Sequence, residues 1–368
     1  MKILQLGKFY PIRGGVEKVM LDLTEGLSAR GMQCDMLCAC KESKEIRLNE
    51  YGRVLCAKSL IKLAATMISP EMVLSLRKIA TDYDVIHVHH PDPMACLALF
   101  LSGYQGKVVL HWHSDILKQK VLLKFYRPLQ EWLIKRADVI VGTTPVYVQQ
   151  SSALKKVQEK VDFIPIGIKE LAPDPEKVSQ IRREYEGKKI VYSLGRLVGY
   201  KGYEYLVEAA AALSDEYVVL IGGKGPLHEN LQQRIEELGL QDKVKLLGYI
   251  ADEDSASYFG ACDVFCLSSI WKTEAFAIVQ VEAMACGKPV VATRIPESGV
   301  SWVNRHEYSG LNVPIEDGKA LAEAIQALTG NDEVYQKYGV QARNLYEERY
   351  MYSRMIDRCM ELYEKIKS

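Results

Sequence analysis

The chain has 368 residues, of which 48% are hydrophobic and 26% charged, with 47 basic and 47 acidic side chains. This length and balance exclude a disordered or low-complexity chain and predict two domains, each large enough for its own core.

The N-terminus, MKILQLGKFY, has too short an apolar run for a signal peptide. KILQLG (2–7) reads instead as a first strand. The loop KFYPIRGG then ends on Gly14-Gly15, directly before a helical pattern over 15–31 with Val16, Val19, Met20, Leu23 and Leu27 near one face. Paired glycines there let the backbone approach an anion closely. The loop is not G-x-G-x-x-G, which argues against a dinucleotide site. QCDMLCAC (33–40), VIHVHH (85–90), KVVLHWH (107–113) and VIVGT (139–143) follow as strands, mostly separated by helical patterns. That rhythm predicts a parallel sheet of βαβ units.

Strand alternation puts His87 and His89 on one side, and likewise His111 and His113. No carboxylate or cysteine stands at a familiar metal spacing, so no metal is assigned. His113, at a strand end, can hydrogen-bond a sugar hydroxyl or shield a reacting centre. Asp82 and Asp84 form a D-x-D, read here as a turn before a buried strand. The stretch 116–138 mixes Lys and Arg with Leu, Phe, Tyr and Trp, and Pro128 is expected to divide it into two helices. Such a segment is either a membrane-surface helix or an ordinary surface helix.

IPIGIKELAPDPEK (164–177) reads as a linker. Strands then restart at KIVYSLG (189–195), YVVLIGG (217–223), VKLLGY (244–249), VFCLSS (264–269) and PVVAT (289–293). The expected domains are 1–166 and 167–350, both doubly wound, with a final helix, 351–368, packing back on the first. Residues 1–165 carry 23 Lys and Arg against 16 Asp and Glu, and the remainder 24 against 31. The basic half suits phosphates or an anionic membrane surface. Nine cysteines, an odd number mostly in strands and without C-x-x-C, predict reduced thiols and a cytoplasmic setting. No apolar run is long enough to span a membrane.

Two motifs carry chemistry. GRLVGYKG (195–202) closes a strand and opens a helix, so Arg196 and Lys201 stand where two cations neutralise a diphosphate leaving group without a metal. TEAFAIVQVEAMACGKPVVAT (273–293) holds Glu274 at the expected mouth of a helix and Glu282 about two turns inside it. Eight residues of helix span about 12 Å, the reach from a sugar across a diphosphate to a ribose.

Together, Gly14-Gly15, GRL…KG, E-x7-E with AMACGKPVVAT, and SGLNVP (309–314) resemble retaining glycosyltransferases of family four over nearly the whole chain. The resemblance implies the GT-B fold, two Rossmann-like α/β domains facing each other across a cleft. It implies that Arg196 and Lys201 bind the donor diphosphate, Glu282 the ribose, and Ile278 and Val279 the donor through backbone amides. The base would lie near Tyr249. Gly14 and Gly15 would line the phosphates and acceptor. Glu274 and His113 would face the donor sugar, Glu274 as nucleophile or as positioner. The implied partners are a nucleotide-sugar donor and a sugar or lipid-linked saccharide acceptor, with peripheral contact to an anionic membrane, no nucleic acid and no cofactor. The family often has E-G-F-G where this chain has Glu274-Ala275-Phe276-Ala277. Two rival readings are a nucleotide-sugar epimerase of the same fold, which needs no acceptor, and a binding-only homologue. E-x7-E argues against the first, and intact Arg196, Lys201 and Glu274 against the second.

Overall fold

Four helices begin where a capping side chain precedes proline. Ser69, Asp92, Thr144 and Asp174 each accept a hydrogen bond from a first-turn amide, ahead of helices that start at Pro70, Pro93, Pro145 and Pro175. Proline fits there because its missing N–H would have had no helical partner. The computed structural model describes residues 1–12, 14–63, 66–116 and 120–367. It divides into two units, Met1–Ile166 with Ser353–Ser368, and Gly167–Tyr352.

The N-terminal unit is built on strands β1 (Lys2–Phe9), β2 (Gln33–Cys40), β3 (Lys44–Arg47), β4 (Arg53–Lys58), β7 (Val85–His90), β8 (Lys107–Trp112), β9 (Val139–Gly142) and β10 (Val161–Phe163). Their order is β10-β9-β8-β7-β1-β2-β4-β3, and only the edge strand β3 is antiparallel. A separate hairpin pairs β5 (Ile61–Leu63) with β6 (Thr66–Ile68). The order reverses at β1, between β7 and β2, so loops after β1 and β7 open at a switch point. The helix Tyr352–Lys367 belongs to this unit from Ser353 onward, and its Tyr363 is fully buried.

The C-terminal unit has β11 (Lys189–Leu194), β12 (Tyr217–Gly222), β13 (Val244–Gly248), β14 (Val264–Leu267), β15 (Val290–Thr293) and β16 (Gly310–Val313). All pair in parallel in the order β13-β12-β11-β14-β15-β16. This is the doubly wound order whose switch point lies between β11 and β14. Val191, Val219, Ile221, Leu206, Ile325 and Leu328 join in one core between this sheet and its helices.

Two expectations are corrected. The cysteines are not all thiols: Cys40 on β2 and Cys56 on β4 form a disulfide, because parallel pairing brings their Cα atoms within 5.3 Å. Pro128 does not divide its segment, since one helix runs from Lys120 to Arg136. Buried Tyr126, Gln130, Leu133 and Ile134 around the proline hold the turns that its missing amide weakens. Residues 117–119 of that segment lie outside the described residues. The 164–177 stretch carries the boundary between the two units, between Ile166 and Gly167. Ile168 donates its N–H to Tyr350 O at 2.9 Å and accepts from Tyr352 N, and the helix Pro175–Glu184 begins within the stretch. Among the described residues no helix is long and apolar enough to cross a membrane.

Candidate active site

β11 and β14 run side by side, with Val191 opposite Val264 and Tyr192 opposite Phe265. Their carboxyl ends therefore release two loops, 195–202 and 268–277, at the same point of the sheet. The loops are tied together: Ser268 Oγ donates to Lys201 O at 2.9 Å and Ile270 N to Tyr200 O at 2.8 Å. Gly202 adopts φ +60°, and a Cβ on it would stand 2.3 Å from Ser268 O. Glycine is required there by both conformation and space.

Lys201 Nζ lies 2.5 Å from Glu274 Oε2, with side-chain exposures of only 9% and 12%. Burial alone would lower the Lys201 pKa, but Glu274, with the Tyr203 and Tyr200 hydroxyls, outweighs it and raises it. Lys201 is thus a fixed cation. Ser269 Oγ donates to the same Glu274 oxygen at 3.1 Å, and Ser298 Oγ donates to the Glu274 carbonyl. Arg196 is exposed and reaches Tyr200 OH at 3.4 Å.

The expected helical spacing of the glutamates is wrong. The helix runs only from Ile278 to Ala285, so Glu274 lies in the preceding loop and Glu282 about one turn inside. The cause is Ala277, whose left-handed backbone (φ +60°, ψ 77°) ends the loop and caps the helix without a side-chain hydrogen bond. Ile278 and Val279 are the first helical residues, whose amides have no partner in the helical ladder and point toward the Glu274 end. Glu282 is half-buried. Tyr249 directly follows β13, is 66% exposed, and has Lys224 Nζ 5.7 Å from its ring centre.

Gly14, Gly15 and His113 belong to the other unit. Gly14 caps the helix Gly15–Ala29 without a side-chain bond, and the Glu17 carboxylate folds back so that its Oε2 is 2.8 Å from where a Gly14 Cβ would stand. His113 follows β8 and is buried in a stack of histidines. Its ring lies 4.0 Å from that of His111, and its Nε2 is 2.9 Å from His89 Nδ1. Burial lowers the pKa of all five rings, His87, His89, His90, His111 and His113, to about 3 for His90 and His111. His89, His111 and His113 bring ring nitrogens within 4.8 Å of one another. Their planes, however, are within 9° to 23° of parallel. His89 Nδ1 and His113 Nε2 are directed at one another as a hydrogen-bonded pair. Asp84 of the D-x-D accepts the Lys2 amide at 2.8 Å, at the opposite end of β7 from the histidine cluster.

Two family descriptions match the chain, Glycosyltransferase Family 4 over residues 13–170 and Glycosyl transferases group 1 over residues 174–345. Over 369 residues the chain is 33% identical to O-antigen chain mannosyltransferase C of Escherichia coli, covering 99% of this chain and 98% of that one. The chain belongs to the family-four glycosyltransferases. This glycosyltransferase is also 31% identical to D-rhamnosyltransferase WbpZ of Pseudomonas aeruginosa, over 95% of its own length and 92% of the relative's. Its fold matches the solved structure of Anabaena Alr3699/HepE in complex with UDP with a TM-score of 0.79 and 22% identity, over 99% and 100% of the two chains. The fold is therefore GT-B.

Sequence reasoning missed several groups that surround the candidate residues in each unit. Ser269 and Ser298 hold Glu274, Tyr200 meets Arg196, and Gln5 bonds the histidine stack. Ser298 and Gln5 act on partners distant in sequence, while Ser269 and Tyr200 lie within five residues of theirs, in loops whose path no periodic pattern records.

Proposed function

We propose that this glycosyltransferase is retaining and moves a manno-configured sugar from a nucleotide diphosphate donor to a hydroxyl of a saccharide or lipid-linked saccharide, in polysaccharide or glycolipid assembly. The observation that carries the reading is the Lys201–Glu274 pair at the switch point of the C-terminal sheet, beside the first amides of the helix Ile278–Ala285. Ligands of open parallel sheets bind at this edge. The sugar is suggested by the relatives: one is named a mannosyltransferase and one a D-rhamnosyltransferase, and D-rhamnose is 6-deoxy-D-mannose.

In this reading the C-terminal unit binds donor and the N-terminal unit binds acceptor. Arg196, Lys201 and the amides of Ile278 and Val279 stabilise charge on the departing diphosphate, without a metal. Glu282 bonds the ribose, and Tyr249 lies near the base. Gly14 and Gly15 line the phosphates and the acceptor, and His113 faces the sugar. The bond from C1 to the phosphate oxygen breaks as the acceptor oxygen bonds C1 on the same face, and the leaving phosphate takes the acceptor proton. Glu274, paired with Lys201 and hydrogen-bonded by Ser269, orients the sugar rather than attacking it. The epimerase reading finds no support among these relatives.

Peripheral membrane contact is part of the proposal. Phe125 is 81% exposed next to exposed Lys124 and near exposed Arg127, and Leu97, Phe100 and Leu101 are exposed on the neighbouring helix Pro93–Ser102. Apolar and basic side chains in one area suit anionic lipid. Sedimentation with vesicles containing phosphatidylglycerol tests it, and Phe125→Ser with Lys124→Ser is expected to abolish co-sedimentation.

The donor reading is tested by a thermal-shift panel of GDP-, UDP- and ADP-sugars, then by turnover with and without saccharide acceptor. Stabilisation by one manno-configured donor, with acceptor-dependent transfer and an α-product from an α-donor, is expected. An altered nucleotide sugar formed without acceptor would favour the epimerase, and an inverted anomer would exclude retention.

A further inference from the structure

We propose that Gln5 is a positioning residue that, acting through His89, fixes the proton of His113 on Nε2 and leaves Nδ1 as a hydrogen-bond acceptor. The proposal rests on the reading of His113 as a sugar-facing group, but the proton's position can be observed without turnover.

Gln5, His89 and His113 lie on or just after the adjacent strands β1, β7 and β8. Gln5 Oε1 is 2.7 Å from His89 Nε2, and His89 Nδ1 is 2.9 Å from His113 Nε2. The Gln5 amide nitrogen donates to Tyr363 OH at 3.0 Å and toward Cys34 Sγ at 3.8 Å. The Tyr363 oxygen is 2.6 Å from His87 Nδ1. Gln5, His87, His89 and Tyr363 have no exposed surface, so water does not reset the protons.

Burial keeps these imidazoles neutral, and a neutral imidazole has one donor and one acceptor nitrogen. The amide orientation given is the one in which both amide hydrogens find acceptors, at Tyr363 and Cys34. An amide oxygen only accepts, so His89 carries its hydrogen on Nε2. His89 Nδ1 then accepts, and His113 must donate from Nε2. His113 Nδ1 is left to accept from a ligand that offers a hydrogen, such as a sugar hydroxyl, and is mismatched to a carboxylate or phosphate oxygen. At the other end, Tyr363 accepts from Gln5 and lies against both His87 Nδ1 and the Cys359 thiol. One amide thus sets the polarity of a chain that spans three strands.

The test is a long-range proton–nitrogen correlation spectrum of the full-length protein labelled with 15N-histidine, which reports the protonated nitrogen of each ring. His89→Gln and His113→Gln assign the signals. Nε2–H at both His89 and His113 in the wild type is expected, and Nδ1–H at His113 overturns the proposal. Gln5→Leu, or the near-isosteric Gln5→Met where leucine prevents folding, is expected to give a mixture of His113 tautomers. An unchanged Nε2–H in the folded variant removes Gln5 from the role. Loss of one such hydrogen bond predicts a fall in kcat/KM of up to about tenfold. A changed tautomer with unchanged turnover would keep the polarity chain and overturn the sugar-facing role of His113.

Discussion

Lys201 Nζ sits 2.5 Å from Glu274 Oε2, so the cation proposed for the diphosphate is already held by the carboxylate proposed for the sugar. Glu274 keeps Lys201 charged in a shielded place. Removing one leaves the other buried and uncompensated, which typically costs about 3–5 kcal/mol. Lys201→Ala is expected to lose stability of this order in urea denaturation and to abolish donor binding. The double variant Lys201→Met with Glu274→Gln is expected to recover most of the stability and none of the activity. Equal stability of Lys201→Ala and wild type would show that the pair is not formed in solution.

Glu282→Ala is expected to weaken nucleoside diphosphate binding by about 10- to 150-fold, the equivalent of one hydrogen bond to a charged group. Calorimetric titration measures this directly. Wild-type affinity in the variant would refute the ribose assignment.

Ala277 holds φ +60°, which costs an L-residue roughly 1–2 kcal/mol and glycine almost nothing. Glycine also loses more chain entropy on folding, about 0.4–1 kcal/mol. Ala277→Gly is therefore expected to stabilise the protein by up to about 1 kcal/mol in chemical denaturation. A loss of stability would mean that the alanine methyl makes packing contacts that outweigh its strain.

The histidine stack predicts acid sensitivity. Burial depresses all five pKa values, and the nearby Lys8 adds to this for His89, His90 and His113. Below pH 6.5 the unfolded state takes up protons that the folded state refuses, so stability is full above about pH 7. It falls with pH by up to about 1.4 kcal/mol per unit for each ring. For His90 and His111 the fall continues toward pH 3, where the folded rings titrate. Both ring nitrogens of His111 are buried without partners, so His111→Leu is expected to be more stable than wild type at pH 5 and to show a shallower decline. Circular dichroism between pH 7.5 and 4.5 follows both.

The parallel architecture was legible because buried strands such as YVVLIG and VIHVHH are continuous apolar or near-apolar runs between helical patterns. β3, β5 and β6 were not, because KEIR, IKL and TMI are short and lie at an edge or outside the main sheets. Arg196, Lys201 and Glu274 could be singled out as candidates because they fall in the loops that follow β11 and β14, a position that sequence marks. The Glu274–Glu282 geometry was misjudged because helical periodicity does not reveal that Ala277 turns left-handed before the helix begins. The Cys40–Cys56 bond was missed for a different reason. It depends on β4 lying beside β2, a pairing between strands that no local pattern records.

Gly202 has a consequence for engineering. Because its α-carbon packs against Ser268 O, and Ser268 in turn holds Lys201 O, the loops after β11 and β14 form one clasp. A transplant that exchanges 195–202 alone would break the fit of 268–277 and so displace Lys201 from Glu274. Donor preference in this scaffold is therefore expected to move between relatives only when both loops are exchanged as a matched cassette.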